Sequence, residues 1–200
     1  MTMLLLARHG QTDWNLKRRW QGHADPPLNE TGRAESRALA ASLAGRGLER
    51  VYSSDLVRAR ETAEIVAAAL GLDVRLDPRL REVNVGEWSG LTAAEVEARF
   101  PAGYRRRHEG GTGWEDGELF EAMGARVEAA VLSIAAAEEN DRLLVVTHGG
   151  PLRALWTAAG GERSGWVNAR NCDVDEVDVE RGQMRWIHSS RGGLHQQVQG

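Results

Sequence analysis

Cysteine is almost absent from this 200-residue chain: Cys172 stands alone, so no disulfide can close within it, and no Cys/His grouping has the spacing of a zinc site. A reducing cytoplasm is the compartment this expects. Long hydrophobic runs are absent too. The opening stretch Met3-Leu4-Leu5-Leu6-Ala7 runs straight into Arg8-His9, short of a signal peptide and far short of the roughly 20 residues that span a bilayer, and reads as a buried strand. Charge of one sign is also missing, with a net charge of −4 and a pI near 5.9, so there is no basic field of the kind that holds nucleic acid. Lysine is reduced to Lys17, and the remaining positive charge is arginine. Neither nucleic acid nor a membrane is therefore expected as a partner.

What remains is an ordinary globular balance, 42% hydrophobic and 27% charged, sufficient for one core. We expect a single domain over 1–190 and a flexible tail over 191–200, the latter Gly-rich and polar. Short apolar runs at 3–7, 50–53 and 143–147 alternate with helical patterns at 30–45, 56–70, 117–139 and 151–159. Alternation of this kind predicts an α/β domain with a mostly parallel sheet. Leu39 and Leu43 share a helical face, as do Val66 and Leu70, with Gly71 placed to end the second helix. Phe120, Met123, Val127, Val131 and Ile134 form an apolar stripe read as core. Segments 173–179 and 183–187 alternate around Gly182 as a hairpin, and residues 100–116 read as one long irregular insertion.

Two predicted strands end alike, in Arg8-His9-Gly10 and in Thr147-His148-Gly149-Gly150. Ligands of open α/β sheets bind beyond the carboxyl ends of strands, so both histidines are expected to face one crevice. The glycines let backbone approach a ligand and leave N–H groups for an anion. In Ser53-Ser54-Asp55-Leu56-Val57-Arg58 a strand passes into a helix that Ser54 or Asp55 is expected to cap. Arg58 then falls in the first turn, where a cation opposes the helix dipole unless an anion sits beside it. A phosphoryl group handled without a metal needs several fixed cations and donors. Arg8, Arg58 and a protonated His148 supply them, with Asn15 as a neutral donor. His9 offers an imidazole nucleophile, and Glu82 or Glu87 a proton for the leaving oxygen; the chemistry alone does not choose between the two carboxylates.

Taken together, RHGQTDWN at 8–15, SSDLVRARETA at 53–63, LREVNVGEWSG at 80–90 and VVTHGG at 145–150 closely resemble the histidine phosphatase superfamily, in its phosphoglycerate mutase-like branch. The resemblance implies a three-layer α/β/α fold with a mostly parallel central sheet. It implies a metal-independent phosphatase of small-molecule phosphate monoesters, with no cofactor, acting as a monomer or homodimer. It further implies that His9 is phosphorylated, that Arg8, Arg58 and His148 complete the phosphate pocket, and that Glu82 is the proton donor. Thr12, Asn15, Gln21 and Gly149 match positions lining that pocket.

Family mutases carry a longer insertion after the proton-donor motif, so the short span from Thr92 to the helix at 117 favours hydrolysis over phosphoryl transfer. A phosphoglycerate mutase and a non-catalytic phospholigand-binding module are the rival readings. The family's usual hydroxyl after Gly-Glu is replaced here, in Gly117-Glu118-Leu119. Trp14, Trp20, Trp88, Trp114 and Arg105 to Arg107 are candidates for the selectivity wall. His23, His108, His188 and His195 are read as surface or loop histidines, because their scattered contexts make no metal cluster.

Overall fold

The structure is a computed structural model in which residues 1–139, 141–161 and 168–189 are described. His195 and the expected tail over 191–200 lie outside them. Among the described residues six strands form one sheet in the order β3-β2-β4-β1-β5-β6, where β1 is Thr2–Arg8, β2 Arg50–Ser53, β3 Val74–Leu76, β4 Arg142–Thr147, β5 Val174–Glu180 and β6 Gln183–Ser189. The first four pair in parallel, while β5 joins β1 antiparallel and turns back into β6. The mostly parallel expectation thus holds for one side of the sheet, and the predicted hairpin closes the other. Its turn is Arg181-Gly182, with φ of +49° and +75°, the left-handed pair that a two-residue hairpin requires.

The sheet is covered on both faces, which explains its unbroken apolar strands. Leu4 and Leu6 of β1, with Leu143 and Val145 of β4, pack toward α6 (Phe120–Ala137) and α7 (Gly149–Ala158). Leu5 and Ala7, with Leu144 and Val146, pack toward α2 (Glu30–Leu43) and α3 (Val57–Leu70). The period of two along each strand therefore divides one apolar run between two cores. None of the described helices is long and apolar enough to cross a membrane.

Three local expectations are corrected. Residues 100–116 are not irregular throughout: α4 (Ala93–Arg99) is followed directly by α5 (Pro101–His108), with Pro101 in the first turn, where its missing N–H costs nothing. A Cβ on Gly103 would come 2.3 Å from the Gly113 carbonyl oxygen, so this glycine lets the helix pack on the returning chain. Helix α3 begins at Val57, and neither Ser54 nor Asp55 caps it; the cap position is Leu56, and the Val57 N–H donates to Asp25 Oδ1 at 2.6 Å. The stretch predicted as a helix from 117 starts at Phe120.

Candidate active site

The parallel register of β1 on β4 pairs Arg8 with Thr147, so His9 and His148 leave the sheet side by side. Their ring centroids are 5.1 Å apart. Three hydrogen bonds hold His9 and the residue after it: the His9 N–H donates to the Thr147 carbonyl at 3.0 Å, its carbonyl accepts from Asn171 Nδ2 at 2.8 Å, and the Gly10 N–H donates to Thr62 Oγ1 at 2.9 Å. Gly10 is required there, because a Cβ would come 2.6 Å from the Gly32 carbonyl oxygen of α2. His9 Nδ1 lies 2.7 Å from the Gly10 carbonyl oxygen, which can only accept, so the proton sits on Nδ1 and Nε2 keeps its lone pair. Burial, and then the Arg58 and Arg8 guanidinium groups, hold the His9 ring well below the ordinary histidine range.

Arg58, 1% exposed, projects from the first turn of α3, as expected, and donates from Nη1 and Nη2 to the carbonyls of Ala24 and Gly22, each at 2.9 Å. Burial pushes its pKa down to about 10, with Glu82 and Asp25 opposing. Arg8 Nη1 donates to the Ala169 carbonyl at 2.6 Å, and burial lowers its pKa also. Both arginines are thus anchored through their outer nitrogens, while the buried Nε of each lacks a partner among the described residues. His148 Nδ1 is likewise buried and unpartnered, and its Nε2 lies 2.9 Å from Ser54 Oγ. Burial first, then Arg58, His9, Arg8 and His23, push His148 well below the ordinary range. Before any anion binds, burial first and the neighbouring guanidiniums second thus disfavour the imidazolium expected at His148.

A cavity of about 270 Å³ opens on this centre, lined by Arg8, His9, Arg58, Glu82, Asn15, Gln21 and Gly149. The structure separates the two carboxylates that sequence chemistry left open. Glu82 lines the cavity and accepts from the N–H groups of Val83 at 2.9 Å and Gly150 at 3.2 Å. Glu87 is outside the lining and accepts from the Glu115 N–H at 3.2 Å. Thr12 is fully buried behind the cavity: it caps α1 (Asp13–Leu16), and its Oγ1 lies 3.1 Å from Asn15 Oδ1 and 3.2 Å from Gln21 Oε1, with its one proton shared between these two acceptors.

Among the candidate wall residues, Trp20 and Arg107 line the cavity, whereas Trp88 and Trp114 are buried core stacked edge-on with Trp20. Trp14 packs over Gly90, and Arg105 and Arg106 lie outside the lining. The wall also contains Arg18, Arg19, Arg153 and Phe120, none of which the sequence singled out for it. Phe120 belongs to the stripe read as core, yet it carries the Arg107 and Arg153 guanidiniums at 5.2 and 4.9 Å from its ring centre. Arg18 has φ of +52°, an uncommon left-handed conformation for a side-chain-bearing residue and a local signal of constraint beside the cavity. His23, read as a surface histidine, is half-buried with Nε2 2.8 Å from the Glu82 carbonyl oxygen. No group of three or more His, Cys, Asp or Glu side chains among the described residues is arranged to hold a metal ion.

The chain is similar to known proteins in both sequence and fold. The sequence profile of the histidine phosphatase superfamily (branch 1) matches residues 4–190. A probable phosphoglycerate mutase GpmB of Salmonella arizonae is 35% identical, over 94% of this chain and 89% of its own length. Among solved structures, Bacillus stearothermophilus YhfR superposes with a TM-score of 0.85 at 33% identity, covering 95% of this chain and 96% of that one. A mycobacterial glucosyl-3-phosphoglycerate phosphatase, solved with VO3, gives 0.81 at 31% identity, covering 94% and 97%.

Proposed function

Since the chain belongs to the histidine phosphatase superfamily, we propose that it hydrolyses small-molecule phosphate monoesters through a phosphohistidine on His9. The observation that carries this reading is the His9 ring itself: its proton is held on Nδ1 by Gly10, and its free Nε2 shares a centre with the unpartnered Nε atoms of two buried arginines. Nε2 attacks phosphorus, the P–O ester bond breaks, and the Glu82 carboxyl gives its proton to the departing oxygen. Glu82, now a carboxylate, takes a proton from the water that attacks the phosphohistidine. The P–N bond then breaks and inorganic phosphate leaves. Arg8 and Arg58 neutralise the phosphoryl oxygens throughout, and His148 donates to one of them. Asn15, Gln21 and Gly149 complete the pocket, with Thr12 fixing the first two.

The same reading treats 1–190 as one catalytic domain working in the cytoplasm as a monomer or homodimer, without cofactor, metal or nucleic acid. The first test is phosphate release from a panel of phosphomonoesters in EDTA, wild type against His9→Ala. Release that disappears in the variant is expected; release that persists would remove His9 from the chemistry. Glu82→Gln should slow alkyl phosphates by roughly 10²–10⁴-fold and p-nitrophenyl phosphate much less. Equal slowing of both would argue against Glu82 as the acid.

The curated relative's name supports a second reading, phosphoglycerate mutase. That reading predicts exchange of 2- and 3-phosphoglycerate stimulated by 2,3-bisphosphoglycerate, and phosphate release without exchange would exclude it.

A further inference from the structure

Ser54 has no part in the reading so far, yet its side chain meets the active centre. It is fully buried, its N–H donates to the Val146 carbonyl at 3.0 Å, and its Oγ lies 2.9 Å from His148 Nε2. The same Oγ accepts from the Leu56 N–H at 3.3 Å. A hydroxyl has one proton to give. With the backbone N–H pointing at Oγ, the only acceptor that the described residues offer that proton is His148 Nε2. The reverse arrangement, with Nε2–H donating, would strand a buried hydroxyl proton without an acceptor.

We infer that Ser54 is a positioning residue that fixes neutral His148 in the tautomer with its proton on Nδ1, so that the unpartnered Nδ1 presents an N–H donor to a phosphoryl oxygen. The inference rests on the proposed phosphatase reading for its purpose, but not for its geometry. Without Ser54 the ring is free to carry its proton on Nε2, and Nδ1 then turns a lone pair toward the anion, which repels it. His148 is held well below the ordinary histidine range by burial, so the tautomer rather than the charge decides what it offers.

The test is nitrogen NMR of the full-length protein labelled in histidine, with His148 assigned through its missing signal in His148→Asn. The wild type should show His148 neutral and protonated on Nδ1 near neutral pH. Ser54→Ala should move the proton wholly or partly to Nε2 and weaken binding of inorganic phosphate by about 10- to 100-fold, and Ser54→Thr, which keeps the hydroxyl, should restore both. A wild-type spectrum with the proton on Nε2 would overturn the inference, and so would a Ser54→Ala protein with unchanged tautomer and phosphate affinity. If Ser54→Ala does not fold, the wild-type spectrum alone decides. The tautomer is read without turnover, so a protein that fails to hydrolyse phosphomonoesters but shows Nδ1–H would sink the phosphatase reading and leave the inference standing.

Discussion

At the scale of single residues, the two glycines after His148 do different work. A Cβ on Gly149 would meet Arg8 Nε at 3.9 Å, an ordinary contact, whereas one on Gly150 would come 2.2 Å from Glu82 Oε1. Gly150 also donates its N–H to the other oxygen of that carboxylate at 3.2 Å, so this position both holds Glu82 and leaves room for it. Gly150 is not among the glycines with positive φ, and it lies in the first turn of α7, where alanine costs the backbone nothing. Gly150→Ala should therefore fold but displace the Glu82 carboxylate. We expect kcat/KM to fall by about 10- to 100-fold for alkyl phosphates and much less for p-nitrophenyl phosphate, which needs no proton donor. Steady-state kinetics with both substrates is the check, and an alanine variant with unaltered alkyl phosphate turnover would show that Glu82 gives way freely. From sequence, both glycines read only as places for backbone to approach an anion. The space that Gly150 keeps clear is set by a carboxylate 68 positions away in the chain and has no local signature.

At the scale of elements, α6 begins with an uncapped turn. Leu119 occupies the cap position with φ −66° and ψ 144°, makes no side-chain hydrogen bond there, and is 59% exposed. Its neighbour Glu118 is engaged elsewhere, with Arg126 at 2.8 Å. Leu119→Ser would supply the missing acceptor and remove an exposed apolar side chain. A stabilisation of about 1 kcal/mol is expected, seen as a higher urea midpoint and a Tm raised by roughly 2–4 °C. No gain would mean that Leu119 is covered by a contact of its own.

The elements most legible in the sequence were those with strong periodicity: β1 and β4 as unbroken apolar runs, and α2, α3 and α6 as amphipathic stretches. Helix α5 was not legible, because Arg105-Arg106-Arg107-His108 carries no apolar face and Gly103 argues locally against a helix. The turn before α3 misled differently. Ser54 and Asp55 are good capping types, but tertiary partners claim both, His148 for Ser54 and Arg81 for Asp55 at 2.7 Å, while Asp25 serves the helix from 32 residues away.

At the scale of the whole molecule, the parallel pairing of β1 with β4 concentrates positive charge and buried imidazole at one point, and this has a cost that depends on pH. The strand-end motifs made His9 and His148 legible as partners, but their protonation was not, since it follows from burial and from Arg8 and Arg58 rather than from residue type. Both rings are held well below the ordinary histidine value of 6.5, with burial as the first cause. The unfolded chain binds protons at these two histidines as pH falls through that value, while the folded chain does not. Stability from this source is therefore complete above about pH 6.5 and is lost as pH drops toward the lowered folded values, at roughly 1.4 kcal/mol per pH unit for each ring. Urea midpoints measured across this range should fall steeply in the wild type and about half as steeply, from this source, in His148→Asn. Identical slopes in the two proteins would show that His148 takes up its proton inside the folded site, and that the two guanidiniums and burial do not keep the ring neutral.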